Sequence, residues 1–311
     1  MNRQHLLTAG KWAWCLIVVV AAVAFISSRY EELRNPLMML EAWHLLAGAG
    51  LLVGGKIMLA QLARVALAGE YRRYHLSRML LLCSVAQLGK YVPGGIWHLV
   101  GRAVIYRTDG LTWSLASRAI ARENGWLLLG AVCFGAMMCL LGLEDQTLAK
   151  SGLPPSLLRW AGPGGVGLIW IVGVWLSVRL PFVADAALHR FGDAVRILIL
   201  QAGAWFLLGA SVAVLAPGLP SAPTLAVIMG GFAIGWALGY ITPFAPAGLG
   251  VREVGAAGIM ALAIEPAEAA VLVGVARLLW TVVELGLGLA GYVGLRRSGQ
   301  ALRPEQQCPP S

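Results

Sequence analysis

Long apolar runs alternate with short polar segments along almost the whole chain. Runs at about 12–28, 42–63, 125–143, 161–178, 196–216, 222–241, 251–264 and 269–294 carry few charges. About 20 apolar residues in a helix cross a bilayer core. The pattern therefore predicts an all-α polytopic membrane protein with eight transmembrane helices. The 251–264 run is short for a crossing, at about 20 Å of helix. It crosses only if the break before it also lies within the membrane.

Charges between the runs set an orientation. Arg3 and Lys11 precede the first run. The 29–41 loop is acidic on balance, 64–123 is strongly basic, 144–160 is neutral, and 179–196 is basic. Arg296, Arg297 and Arg303 follow the last run. Basic loops stay on the cytoplasmic side, which places both termini there.

Two Pro-Gly breaks interrupt the apolar pattern. The first is Lys90-Tyr91-Val92-Pro93-Gly94-Gly95, with Arg102 beyond it. Met79–Leu88 and Ile96–Tyr106 flank it as two short apolar arms with arginines at their outer ends, which predicts a re-entrant hairpin dipping in from the cytoplasm. The second runs from Pro243 to Glu253 and holds Pro246, Gly248, Gly250 and Arg252. If 251–264 returned to the cytoplasm, Arg296 and Arg297 would end outside. A discontinuous helix, with Glu265-Pro266 near the outer face, avoids this; seven spans with an outer C-terminus is the alternative. Pro93-x-Gly95 and Pro246-x-Gly248 share a spacing that fits a parallel repeat or chance equally well.

Composition agrees with lipid as the solvent. Of 311 residues, 59% are hydrophobic and 13% charged, against roughly 25% charged in soluble domains. The net charge of +9 fits cytoplasmic loops facing anionic headgroups, and no motif points to nucleic acid. Cys15, Cys83, Cys133, Cys139 and Cys308 show no C-x-x-C spacing, so neither a disulfide framework nor a metal site is expected. Ala22-Val23-Ala24 has the form of a signal-peptidase site, but alanine-rich helices produce such triplets unaided. Residues 1–297 read as one integral membrane domain and 298–311 as a disordered cytoplasmic tail.

Broken backbone in lipid needs protein or a wet cavity to satisfy it. Pro93, Gly94 and Gly95 form either a phosphate cradle beside Lys90 and Arg102 or a tight turn between short helices. Gly248 and Gly250 expose backbone beside Arg252, whose guanidinium can grip a phosphate bidentately, although adjacent Glu253 can neutralise it. Arg118 and Arg122 share a helix face, with Glu123 beside them, and either bind a headgroup or anchor at the interface. Arg277 and Glu284 share a face of the last run, where a charge costs about 2.5–3.5 kcal/mol; they serve a headgroup or proton pathway or a structural ion pair. Lys56 is read as snorkelling outward, without a role. No G-x-S-x-G, Walker loop, H-E-x-x-H, zinc spacing or D-x-D metal motif occurs, so an enzyme, a catalytic residue and a cofactor are not expected.

These motifs resemble a known family. Gln87-Leu88-Gly89-Lys90-Tyr91-Val92-Pro93-Gly94-Gly95 with Arg102, then Arg122-Glu123, then Pro246-Ala247-Gly248-Leu249-Gly250-Val251-Arg252-Glu253, then Arg277, are similar in content and order to signatures of the lysylphosphatidylglycerol synthase transmembrane region, or flippase-like domain, family. The resemblance spans nearly the whole chain. Ala247 departs from it, standing where the family commonly has glycine. The resemblance implies lipid translocation or lipid handling, and not aminoacylation, because no soluble transferase domain follows the membrane part here. It implies as ligand an anionic phospholipid or a polyprenyl- or glycan-linked lipid.

The expectation is a flippase-like translocator in a bacterial-type inner membrane. Lys90, Arg102, Arg122 and Arg252 would hold the headgroup in a cytoplasm-facing polar cavity, with Glu123, Glu253 and Glu284 balancing charge. The alternative is a non-transporting accessory or scaffold subunit that partners enzymes of a lipid or cell-surface glycan pathway. An unusual membrane transferase is disfavoured by the missing motifs.

Overall fold

The computed structural model describes residues 38–67, 74–91, 96–179, 191–216, 221–242 and 245–297, with isolated positions before them. Most of the expected 12–28 span, the Pro93-Gly94-Gly95 turn and the 298–311 tail lie outside the described residues.

Among the described residues all regular structure is helical. The helices are α1 (Ala42–Ala66), α2 (Leu76–Gln87), α3 (Trp97–Thr108), α4 (Trp113–Gly142), α5 (Asp145–Ala149), α6 (Pro155–Arg179), α7 (Phe191–Ala213), α8 (Ala222–Ile241), α9 (Val251–Met260) and α10 (Pro266–Arg297). Six of them, α1, α4, α6, α7, α8 and α10, are long and apolar enough to cross a membrane. They correspond to six of the expected runs. The 251–264 run instead yields the ten-residue α9, about 15 Å long, followed by a turn. That is too short to cross alone.

Local signals explain the helix starts. Thr112 caps α4, its Oγ1 accepting from Leu115 N at 3.2 Å. This begins α4 twelve residues before the apolar run at 125 and takes Arg118, Arg122 and Glu123 into the helix. Proline, which tolerates a missing N–H in the first turn, stands at the start of α6 and α10 and in the first turn of α8.

Small residues let the helices approach closely, as packing in lipid demands. α1 and α7 run antiparallel, Gly48 facing Leu215 and Gly55 facing Leu208. α4 and α8 do the same, from Gly135 against Ile234 to the Tyr240 hydroxyl donating to Asn124 Oδ1 at 2.6 Å. α8 and α9 form an antiparallel pair in which Gly239, Gly235 and Gly231 meet Arg252, Ala256 and Met260. α2 runs against the last half of α10, Gly288 facing Leu88 and Gly291 facing Leu81.

The bundle therefore has two distinct ends. One carries Arg64, Arg78, Arg107, Arg118, Arg296 and Arg297. It is closed by a small core of Leu67, Tyr74, Met79, Tyr106, Ala116 and Leu295. Here Tyr74 donates to Asp109 Oδ2 at 2.8 Å, and Arg78 holds the other oxygen at 2.7 Å. Burial first, then that hydrogen bond, pushes the Tyr74 phenol well above its ordinary pKa. The far end carries Glu41, Glu144, Asp145, Glu265 and Glu268.

α2 and α3 form a short antiparallel hairpin rising from the basic end. α8 descends from the far end and α9 returns to it. The turn closing α2, Leu88–Tyr91, packs against the turn Pro246–Gly248 between α8 and α9. The turn that closes α2 and the break between α8 and α9 thus meet inside the bundle, beside α10.

Candidate functional site

α10 organises the meeting point. Arg277 and Glu284 lie about 16 Å and about 27 Å along its length of about 48 Å. Seven residues apart, they share a face as the sequence pattern requires, yet they do not pair with each other. Each holds a different hairpin tip.

Glu284, 3% exposed, holds the first tip. Its Oε1 takes the Lys56 ammonium of α1 at 2.5 Å. Its Oε2 takes the Lys90 ammonium and accepts from the Tyr91 hydroxyl, the latter at 2.8 Å. Lys56 therefore points inward to a carboxylate, contrary to the outward snorkelling expected from sequence, because Glu284 offers a charged partner at the same depth.

Arg277 holds the second tip. Its Nη2 donates to the Ala247 carbonyl at 3.3 Å, and its Nε lies 3.3 Å from Glu253 Oε1. Glu253 Oε2 accepts from Gly250 N at 2.7 Å and so caps α9. Glu253 thus neutralises Arg277, not its neighbour Arg252, since adjacent helical residues point about 100° apart.

The second break needs left-handed backbone at three positions: Ala247 (φ 52), Gly248 (φ 72) and Gly250 (φ 86). Glycine adopts this freely, whereas at Ala247 it costs about 1–2 kcal/mol. Gly248 also lies directly on the Gly239 backbone, where a Cβ would approach to 2.9 Å. Pro246 opens this turn.

Two clefts flank the tip contact. The first encloses about 480 Å³ of partly open space and is lined by Lys56, Ser84, Gln87, Arg102, Glu123 and Glu284, with apolar neighbours. Within it Arg102 and Glu123, each 5% exposed, form a bidentate pair: Nη1 donates to Oε1 at 2.9 Å, and Nη2 meets Oε2. Arg102 Nη1 also contacts Cys83 Sγ at 3.7 Å.

The second cleft, about 270 Å³ of partly open space, lies between α8, α9 and α10 and is lined by Phe232, Arg252, Glu253, Val273 and Arg277. Arg252 is 8% exposed. Its guanidinium makes no ion pair among the described residues. It sits instead 5.1 Å from the Phe232 ring and 4.6 Å from the Trp280 ring.

Trp280 separates the clefts. Lys56 from the first and Arg252 from the second both lie over its ring, Lys56 at 4.5 Å. Its indole Nε1 is buried without a hydrogen-bond partner among the described residues.

The structure thus gathers Lys90, Arg102, Glu123, Gly248, Gly250, Arg252, Glu253, Arg277 and Glu284 around one meeting point, divided between two clefts. Arg122 is buried but lines neither cleft; its Nε donates back to the Arg118 carbonyl at 3.4 Å. Lys56, Tyr91 and Trp280 belong to the site but were not assigned to it from sequence. Lys56 had a readable signal, being an ionisable residue well inside an apolar run. Tyr91 lies within the first break, though no role was read for it, and Trp280 had no signal.

The chain matches no protein-family model and no curated protein.

Proposed function

We propose that the protein binds the anionic headgroup of a lipid in these clefts and passes it across the membrane while the acyl or prenyl tails stay in lipid. The ligand class is an anionic phospholipid or a polyprenyl- or glycan-linked phosphate. One observation carries this reading. Around the tip contact Lys56, Lys90, Arg102, Arg252 and Arg277 outnumber Glu123, Glu253 and Glu284. Uncompensated positive charge in an apolar interior is costly, and an entering phosphate would offset it. Arg252 is the clearest case, since two aromatic rings rather than a carboxylate receive it.

In this reading the basic end faces the cytoplasm. α2 and α3 are a re-entrant hairpin, and α8 and α9 form a discontinuous segment whose break lies within the membrane; α9, too short to cross alone, counts as a span only through that break, and with the 12–28 run this gives eight spans with both termini cytoplasmic. The membrane is a bacterial-type inner membrane. The resemblance to the flippase-like domain family supports the assignment: of its motif residues, Lys90, Arg102, Glu123, Arg252, Glu253 and Arg277 lie around the tip contact, whereas Arg122 lines neither cleft. The protein does no covalent chemistry in this scheme. The first cleft receives the headgroup from one leaflet and the second releases it to the other.

The test is lipid exchange in vesicles of phosphatidylcholine containing a fluorescent phosphatidylglycerol, read as dye reached by an impermeant reductant. The native protein is expected to speed exchange over protein-free vesicles. Arg252→Gln is expected to slow it by about ten-fold or more, matching the loss of one charge-assisted contact. No exchange with either protein, together with a fully folded Arg252→Gln variant, would favour the accessory-subunit reading.

A further inference from the structure

We propose that Lys56, Lys90 and Tyr91 form an oxyanion site of phosphate size that the chain's own Glu284 carboxylate fills. An incoming anionic group binds there by displacing Glu284. This rests on the reading of the first cleft as a headgroup site, and it adds the groups that receive the phosphate and the group that competes with it.

The geometry is that of a ligand site. Three donors from two separate elements, α1 and the turn after α2, converge on one carboxylate and engage both of its oxygens. Two ammonium groups face a single negative charge, so the cluster holds a positive surplus. A phosphate brings more oxygens and, in a monoester, up to two charges, and so satisfies the same donors more fully than a carboxylate does. Lys56 and Glu284 both line the first cleft, so a group entering the cleft reaches the cluster directly. Ser84 and Gln87 of α2 also line the cleft and supply further polar atoms.

Displacement has a mechanical consequence. Lys90 and Tyr91 lie in the turn that closes α2, and Glu284 ties that turn to α10. Once a phosphate takes the lysines, this polar tie is lost, and the turn is held to α10 only by apolar packing such as Leu88 on Gly288. Ligand binding and loosening of the contact between the α2 turn and the Pro246–Gly248 turn are then one event. A neutral headgroup cannot compete with Glu284 and leaves that contact in place.

The experiment compares native protein with Glu284→Gln in phosphatidylcholine nanodiscs. Probes are inorganic phosphate, or about one-tenth phosphatidylglycerol in the disc, and the readouts are thermal unfolding and apparent affinity. Without an anion, Glu284→Gln is expected to unfold at a lower temperature, because two partly buried lysines lose their partner. With an anion it is expected to regain stability and to bind about ten-fold more tightly than the native protein, since one competing charge-assisted contact is gone. Adding Lys56→Gln or Lys90→Gln should abolish the gain. Glu284→Asp, which keeps the charge but shortens its reach, should also tighten binding and serves if Glu284→Gln does not fold.

A response to phosphate alone assigns a small-anion site; a response only to phosphatidylglycerol assigns a headgroup site. Unchanged or weaker anion binding in both variants overturns the proposal and leaves Glu284 as a structural clamp. Should Arg252→Gln stop lipid exchange while Glu284→Gln leaves affinity unchanged, the headgroup reading survives and this one falls. Tighter phosphate binding without lipid exchange gives the reverse.

Discussion

Glu123→Gln is expected to lower the unfolding free energy by about 3–5 kcal/mol, the usual cost of removing one partner from a buried ion pair. Arg102 and Glu123 are both buried and bonded through two parallel contacts. The substitution leaves a guanidinium in an apolar wall with only the Cys83 sulfur and the new amide nearby. The pair also fastens α3 to α4, so the basic end should loosen with it. Replacing both residues by leucine should recover most of the stability, because the desolvation cost disappears together with the attraction. Heat or SDS unfolding of the purified protein reads both variants. If Glu123→Gln is as stable as the native chain, the pair does not anchor the hairpin.

Gly235→Leu is expected to cost about 3 kcal/mol and to abolish anion binding in the second cleft. A Cβ at this position would fall 2.6 Å from Ala256 Cβ and 2.7 Å from Ala256 N. The obstruction includes backbone, so no rotamer change relieves it and α9 must move as a body. That helix carries both Arg252 and Glu253. Gly258→Leu, on the same helix pair but with nothing within 4 Å of its Cβ position, is the control and should leave unfolding unchanged. Equal behaviour of the two variants would mean that α9 is not held against α8 as described.

Hydropathy alone located the helices that now surround the site. α1, α8 and α10 lie where apolar runs of about 20 residues placed them, because desolvation of a helix depends on composition more than on partners. The break between α8 and α9 was legible too, since proline and glycine act locally. So was the common face of Arg277 and Glu284, which follows from helical spacing.

Choice of partner was not legible. Lys56 and Glu284 are 228 positions apart, and Glu253 bonds Arg277 across 24 positions while its neighbour Arg252 rests on aromatic rings. These outcomes depend on which helices pack together. The start of α4 at Trp113 was missed because its first turns pack against protein at the basic end and need not be apolar. Arg122 was grouped with Glu123 by adjacency, whereas helical rotation turns only Glu123 into the cleft.

Mass spectrometry of lipids that co-purify with native protein and with Arg252→Ala tests the headgroup reading most directly. The account predicts one class of anionic lipid enriched over the bulk membrane mixture in the native sample, and lost from the variant while its thermal unfolding stays cooperative. Bulk lipid composition in both samples would contradict it.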